Sequence, residues 1–315
     1  MRLEGAATSG VGLTMTLHCW TSARYSLPLP AGHRFPIAKY ALLRDAVVAS
    51  GIVTPSAVHE PERASRGALR LVHTERYVDD LVAGTLSPAE QRRIGLPWSE
   101  ALVERSFRAV GGTCEAAAAS LEHGVTMNLA GGTHHAFPDR GEGFCVFNDA
   151  AVAIRVLQRA GRIRRAAIID LDVHQGNGTH AIFDGDATVF TFSMHGGRNY
   201  PFNKVAGSLD VDLVDGTGDE IYLDTLARVL PGVLSASAPD LIIYLAGADP
   251  HEGDRLGRLC LTFDGLARRD AMVLEACREV GIPVTITIAG GYGRDIADTV
   301  QAHVNTARVA AEFIP

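Results

Sequence analysis

The stretch Ala166-Ala-Ile-Ile-Asp170-Leu-Asp172-Val-His174-Gln-Gly-Asn177-Gly178 decides how this chain is read. Its first four residues are continuously apolar, the pattern of a strand buried on both faces. Such strands belong to parallel sheets, which bind ligands beyond the carboxyl ends of their strands. Asp170, Asp172 and His174 then follow at every second position, and residues two apart in an extended chain point the same way. Asp172 and His174 offer an oxygen and a nitrogen, the mixed set that a catalytic zinc accepts. Taken alone, the stretch leaves a plainer reading equally open, with Asp172 capping a helix and His174 packing in a loop.

Similar groups attend four other apolar runs. Leu241-Ile-Ile-Tyr-Leu-Ala-Gly leads to Asp249, and Val125-Thr-Met-Asn-Leu-Ala leads to Gly131-Gly-Thr-His134-His135. Val284-Thr-Ile-Thr-Ile-Ala-Gly-Gly ends at Tyr292, and Val189-Phe-Thr-Phe-Ser193-Met ends at His195. Most of these groups sit behind glycines, which let backbones approach closely. The pattern reads as one site assembled from several loops.

Segments 36–50, 99–122, 219–237, 264–280 and 294–312 carry helix-like patterns that alternate with the apolar runs. That alternation predicts an α/β fold with a central, mostly parallel sheet and helices on both faces. Over 315 residues no Pro/Ser-rich linker, charge block, repeat or low-complexity tract marks a boundary, so a single domain is expected. The five cysteines are odd in number and form no Cys-x-x-Cys pair, which favours a reducing, cytoplasmic setting over disulfides or cysteine-based zinc sites. No apolar run approaches the length of a membrane span. The net charge of −7 argues against nucleic-acid binding. Residues 1–14 lack apolar periodicity and a secretory core, so they read as a disordered extension ahead of a catalytic domain at 15–315, with Met15 as an alternative start.

Five motifs, in order and spacing, resemble the histone deacetylase family. They are Gly131-Gly-Thr-His134-His135-Ala, Gly143-Phe144-Cys145-Val-Phe-Asn148-Asp149, Asp170-Leu-Asp172-Val-His174-Gln-Gly-Asn177-Gly, Ala246-Gly-Ala-Asp249-Pro and Ala289-Gly-Gly-Tyr292. The resemblance runs from about His33 to about Val300. Within the family it is nearest the class IV branch. His33-Arg-Phe-Pro-Ile-Ala-Lys-Tyr40, Glu252-Gly-Asp-Arg-Leu256-Gly, and Gln175 in place of a second histidine all fit that branch.

The resemblance implies the arginase/deacetylase-like fold and a zinc-dependent hydrolase acting on acylated lysine side chains. Asp172, His174 and Asp249 would hold the metal and leave one position open, as catalytic zinc requires. The same ligands suit iron(II). A metal held there would activate water and polarise an amide carbonyl. Such chemistry also needs a base, an oxyanion donor and an acid for the departing amine. By resemblance, His135 is the general base and acid, His134 an electrostatic partner, and Tyr292 the oxyanion donor. Asp170 would hold His134 and Asn177 would hold His135. An amide orients an imidazole without adding charge, so Asn177 should leave His135 neutral near pH 7.

Gly143, Phe144, Tyr200 and Leu256 resemble the walls and rim of the family's acyl-lysine channel. Asp170, Asp172, His174, Ser193 and Met194 resemble a structural site for K+ or Na+. Cys145 reads as a small buried hydrophobe. His251, Asp254 and Arg255 read as a solvated or salt-bridged loop, and His18, His59, His73, His123, His180 and His303 show no constellation. Three other functions compete. A two-metal ureohydrolase would need carboxylates where Gly176 and His251 stand. An acetylpolyamine amidohydrolase shares the zinc chemistry, but its selective branch resembles one with an acidic gatekeeper near Leu256. A non-catalytic acyl-lysine reader would have lost a ligand, a histidine or the tyrosine, and none is lost. The expected partners are therefore acyl-lysine peptides or proteins, or small acyl amides. Oligomeric state is not legible.

Overall fold

A computed structural model describes residues 16–314. The expected extension at 1–14 and Met15 lie outside the described residues. The strands are β1 (His18–Trp20), β2 (Val58–His59), β3 (Val125–Asn128), β4 (Ala166–Asp170), β5 (Val189–Gly196), β6 (Leu209–Leu213), β7 (Leu241–Leu245) and β8 (Val284–Thr287). They form one sheet in the order β2-β1-β3-β8-β7-β4-β5-β6, with every pairing parallel. The five apolar runs read from the sequence are its five contiguous central strands, β3, β8, β7, β4 and β5.

The helices are α1 (Lys39–Ala49), α2 (Arg66–Leu69), α3 (Glu75–Ala83), α4 (Pro88–Ile94), α5 (Glu100–His123), α6 (Asp149–Arg159), α7 (Asn177–Ile182), α8 (Asp219–Ser237), α9 (Phe263–Glu279) and α10 (Ile296–Ala311). Helix starts follow side-chain caps rather than the apolar pattern alone. Ser99 accepts from the Leu102 N–H ahead of α5, Thr262 from Gly265 ahead of α9, and Asp295 from Ala297 ahead of α10. This is why α10 begins two residues later than the 294–312 pattern suggests. The α6 helix stands outside the segments named from sequence; Asn148 caps it by accepting from the Ala151 N–H.

The continuous apolar runs have a direct structural cause. Ile168, Leu241, Ile243 and Leu245 pack with Ala150, Ile154 and Leu157 of α6 in one buried cluster. Their alternates Ala167, Ile169, Ile242 and Tyr244 join Leu266, Val273 and Leu274 of α9 in another. Both faces of β4 and β7 are covered by helices, and both parities there are apolar up to Asp170, whereas β3 and β8 bury Thr126, Asn128, Thr285 and Thr287 on one parity. Burying each such leucine or isoleucine contributes about 1.5–3 kcal/mol. The strand ends, fixed from both sides, give the following loops a rigid base.

Candidate active site

Three adjacent strands, β8, β7 and β4, hold each other's loops at the carboxyl end of the sheet. The Gly290 N–H, after β8, donates to Asp172 Oδ2 at 2.7 Å. The Val173 N–H, after β4, donates to Asp249 Oδ1 at 2.9 Å. Asp172 Oδ1 accepts from the His174 N–H and lies 2.9 Å from His174 Nδ1. Glycine is required where these loops meet, since a Cβ at Gly247 would lie 2.8 Å from Asp249 Oδ1 and one at Gly290 2.5 Å from Asp172 Oδ2.

Asp172, His174 and Asp249 are buried, and one donor atom from each lies within 4.8 Å of the others. Asp249 Oδ2 is fully buried with no hydrogen-bond partner, and His174 Nδ1 sits 3.2 Å away. Burial, reinforced by the charge of Asp172, raises the Asp249 carboxyl to about 7. Burial opposes a charged His174, but its hydrogen bond to Asp172 and the nearby Asp172 and Asp249 carboxylates overcome it and raise the imidazole to about 10. Two carboxylates converging on one imidazole draw positive charge into their centre, which a divalent cation supplies. The orphaned oxygen, the glycine cradle and the mixed O/N donors all fit a catalytic divalent metal.

Beside this centre the two histidines of the β3 loop face different partners. His134 Nδ1 donates to Asp170 Oδ2 at 2.7 Å. Burial alone would lower His134, but the charges of Asp170 and Asp172 raise it to about 9. His135 Nδ1 donates to Asn177 Oδ1 at 2.7 Å. Burial first, then the neighbouring His134 and His174, hold His135 well below the ordinary imidazole range. Adjacent imidazoles are thus shifted in opposite directions, one beside a carboxylate and one beside an amide.

Tyr292 stands on a loop held from every side. Its N–H donates to Asp254 Oδ2 at 2.6 Å, and its carbonyl accepts from Arg255 Nε at 3.0 Å. The buried Lys39 Nζ donates to the carbonyls of Ala289 and Gly291 and lies 5.6 Å from the Tyr292 ring. Burial and the nearby Asp172 and Asp249 keep the Tyr292 hydroxyl protonated. The reading of His251, Asp254 and Arg255 as a solvated or salt-bridged loop is corrected for the first two, while Arg255 is exposed. Asp254 is buried and accepts the N–H groups of Tyr292, Leu256 and Gly257, while His251 is buried and stacks on Phe263 at 4.2 Å. Three backbone donors offset the desolvation of Asp254 where water was expected.

A cavity of about 380 Å³ reaches these groups, and Gly143, Phe144, Tyr200 and Leu256 all line it. Gly143 and Phe144 both have left-handed backbones, φ 58° and 66°. That conformation is costly at Phe144, and such strain concentrates at functional sites. The Tyr200 ring meets His135 edge-on with centroids 4.9 Å apart. Arg34, Arg198 and Arg258, all exposed, contribute to the same cavity. Ser193 lies in register beside Asp170, with its Oγ 2.9 Å from His195 Nδ1. Cys145 is buried, and its thiol is pushed far up by desolvation.

Several residues that shape the site were missed in the sequence. Glu142 Oε1 accepts from Asn177 Nδ2 at 2.8 Å and from the Tyr200 hydroxyl at 2.9 Å. The buried Arg269 donates to the Gly247 carbonyl at 2.7 Å and the Leu171 carbonyl at 3.3 Å, gripping both metal-ligand loops from behind. Asp270 pairs with it at 2.8 Å and is held by Tyr244 and Thr306. Neither residue interrupts a pattern: Arg268-Arg269-Asp270 looks like a solvated helix face. A further correction concerns His18, His59 and His123. The structure stacks them, with ring centroids 5.1 Å apart for His18–His59 and 4.3 Å for His18–His123. Their positions on β1, β2 and the end of α5 meet only in three dimensions.

A parallel α/β sheet carrying a buried Asp-His-Asp set, paired histidines and a tyrosine defines the class of metal-dependent amidohydrolases. The histone deacetylase domain model matches residues 33–307, and the chain belongs to that family of deacetylase and amidohydrolase enzymes. It is 48% identical over 288 residues to an uncharacterised protein of Picosynechococcus sp., covering 91% of this chain and 96% of that one. It is 34% identical to histone deacetylase 2 of Arabidopsis thaliana, covering 85% of this chain and 73% of the relative. An HDAC homolog solved in complex with SAHA superposes with a TM-score of 0.82 at 24% identity, over 94% of this chain and 84% of that one. That likeness establishes the shared fold. No helix of the described residues is long and apolar enough to cross a membrane.

Proposed function

We propose that this chain removes acyl groups from lysine side-chain amides, using one divalent ion held by Asp172, His174 and Asp249. The observation that carries this reading is the placement, beside the buried Asp172, His174 and Asp249, of His134 on a carboxylate and His135 on an amide, environments that push two imidazoles apart as acid–base assignments require. When bound, the ion, zinc or iron(II), activates water and polarises the amide carbonyl. Neutral His135, its Nδ1–H committed to Asn177, accepts a proton through Nε2 and returns it to the leaving amine. His134, charged beside Asp170, stabilises the negative charge that develops. Tyr292, held protonated, donates to the oxyanion. Asp170, Asp172, His174, Ser193 and Met194 are proposed to hold a structural K+ or Na+.

Gly143, Phe144, Tyr200 and Leu256 would wall the lysine channel. The cavity lining continues to the buried Tyr40, Arg105 and Cys145, which supports acyl chains longer than acetyl. The class IV assignment draws support from Gln175. Its Nε2 donates to Asp210 Oδ1 and the Val205 carbonyl while its Oε1 accepts from the Val205 N–H, a set an imidazole cannot reproduce. Leu256 brings no charge to pair with a polyamine, and Arg34, Arg198 and Arg258 at the cavity would repel one. A reader without catalysis would not need the His135–Asn177 bond or the orphaned Asp249 oxygen. We propose a catalytic domain at 15–315 with 1–14 as an extension, and the five free cysteines support a reducing, cytoplasmic setting.

The test is a panel of acyl-lysine peptides, from acetyl to myristoyl, run beside acetylputrescine and acetylspermidine. We expect the highest kcat/KM on an acyl-lysine peptide with an acyl group longer than acetyl. Higher kcat/KM on an acetylpolyamine than on every peptide would reverse the substrate assignment.

A further inference from the structure

We propose that Glu142 is a positioning residue that sets the tautomer of His135 by fixing which way the Asn177 amide faces. The proposal rests on the reading of His135 as the proton carrier. The two ends of a primary amide have nearly the same shape, so packing alone does not choose between Asn177 with its oxygen towards His135 and the flipped form. Hydrogen bonding does choose. A carboxylate is an acceptor only, so the group facing Glu142 must donate. Its Oε1 lies 2.8 Å from Asn177 Nδ2, which turns Asn177 Oδ1 to His135 Nδ1 at 2.7 Å. An oxygen there can only accept, so the imidazole proton is held on Nδ1 and the Nε2 lone pair is left free. With Asn177 flipped, its NH2 would face Nδ1, the proton would move to Nε2, and the base would be blocked.

Three further observations support a built arrangement. The Glu142 side chain is 12% exposed, and Arg140 Nε lies 3.5 Å from its second oxygen. The same Oε1 that receives Asn177 also receives the Tyr200 hydroxyl at 2.9 Å, and the Tyr200 ring abuts His135. Between them, a Cβ at Gly143 would lie 2.6 Å from His135 Cδ2, so the backbone beside Glu142 closes directly on the ring. One carboxylate thus anchors a cavity wall and the amide behind the base. His134 has its carboxylate in direct contact, whereas at His135 an amide is interposed. The second histidine therefore receives a fixed orientation with no charge at the ring.

The test reads the tautomer directly. In metal-loaded protein with 15N-labelled histidine, long-range 1H–15N correlation should show His135 with its proton on Nδ1. Glu142→Ala should shift that signal towards the Nε2–H form and lower kcat about 10–100-fold, the usual loss for an outer-shell partner, with KM and metal content little changed. Glu142→Gln keeps an acceptor oxygen and should fall between wild type and alanine, and it serves if the alanine variant does not fold. Adding Asn177→Asp to Glu142→Ala should restore the Nδ1–H form, because a carboxylate has no donor end to flip. A role confined to holding the loop would not be rescued this way. An unchanged tautomer in both Glu142 variants overturns the proposal. A changed tautomer with undiminished turnover upholds it and instead removes His135 as the proton carrier.

Discussion

At the carboxyl end of the central strands His134 and His135 are each 4% exposed and each holds one committed hydrogen bond, one to a carboxylate and one to an amide. At the β2–β1 edge His18, His59 and His123 are half-buried and stack on one another, with His18 Nδ1 2.8 Å from His59 Nε2. Burial, then mutual repulsion, lowers His18, and burial lowers His59 despite Glu115. None of the three rings is paired with a buried carboxylate. Imidazole supplies the same atoms in both regions. Deep burial beside a fixed partner shifts the central pair in opposite directions, whereas the half-buried edge rings have only one another and a weaker push downward on His18 and His59.

The largest effect should come from the centre itself. Asp249→Ala should abolish turnover and strip the metal, read by elemental analysis, while circular dichroism shows the fold retained. Two catalytic ions per wild-type chain would instead move the protein towards the ureohydrolases. Next, His135→Ala should lower kcat by about 10²–10⁴, and Tyr292→Phe by about 10²–10³, both with metal retained. A Tyr292→Phe enzyme with near wild-type kcat would refute the oxyanion role.

The scaffold behind the site comes third. Arg269→Leu leaves Asp270 buried without its ion pair, so chemical denaturation should show a loss of about 3–5 kcal/mol. The double variant Arg269→Leu/Asp270→Asn should lose less, since no buried charge is stranded.

His73 sharpens the comparison through pH, away from the metal ligands. It is buried, donates from Nδ1 to the Phe137 carbonyl and accepts the Asn148 N–H on Nε2, and burial lowers it to about 4. Between pH 6.5 and 4 the unfolded chain binds a proton there that the folded chain does not. Stability is therefore intact above pH 6.5 and lost as pH falls towards 4, by about 3 kcal/mol in all. In His73→Gln that part of the pH dependence should vanish from denaturation measured across the window. The smallest effect should come from the edge. His59→Ala removes one ring, stacked on Trp20 at 4.7 Å and on His18 at 5.1 Å, and should cost about 0.5–1.5 kcal/mol with kcat unchanged.

Much of the site was legible because its donors stand at strand ends. Apolar runs buried on both faces identify parallel strands, and the first Asp, His or Tyr beyond each run lies at the carboxyl edge. The long helices were legible from periodicity, with ends shifted by caps such as Asp295. The short edge strands β1 and β2 were not, since three and two residues are too few for a period to register.

The residue sequence by itself determined the order of the strands along the chain, the identity of Asp172, His174, Asp249, His134, His135 and Tyr292, and the family they belong to. Only the tertiary structure decided what Glu142, Lys39, Asp254 and Arg269 do. Arg269 reaches the carbonyl of Leu171, 98 residues away, and Lys39 reaches that of Ala289 across 250. Hydrophobic periodicity reports which face of an element is buried, because burial follows from local spacing. It carries nothing about hydrogen-bond partners, so a buried charge reads like a solvated one until folding brings its partner within about 3 Å.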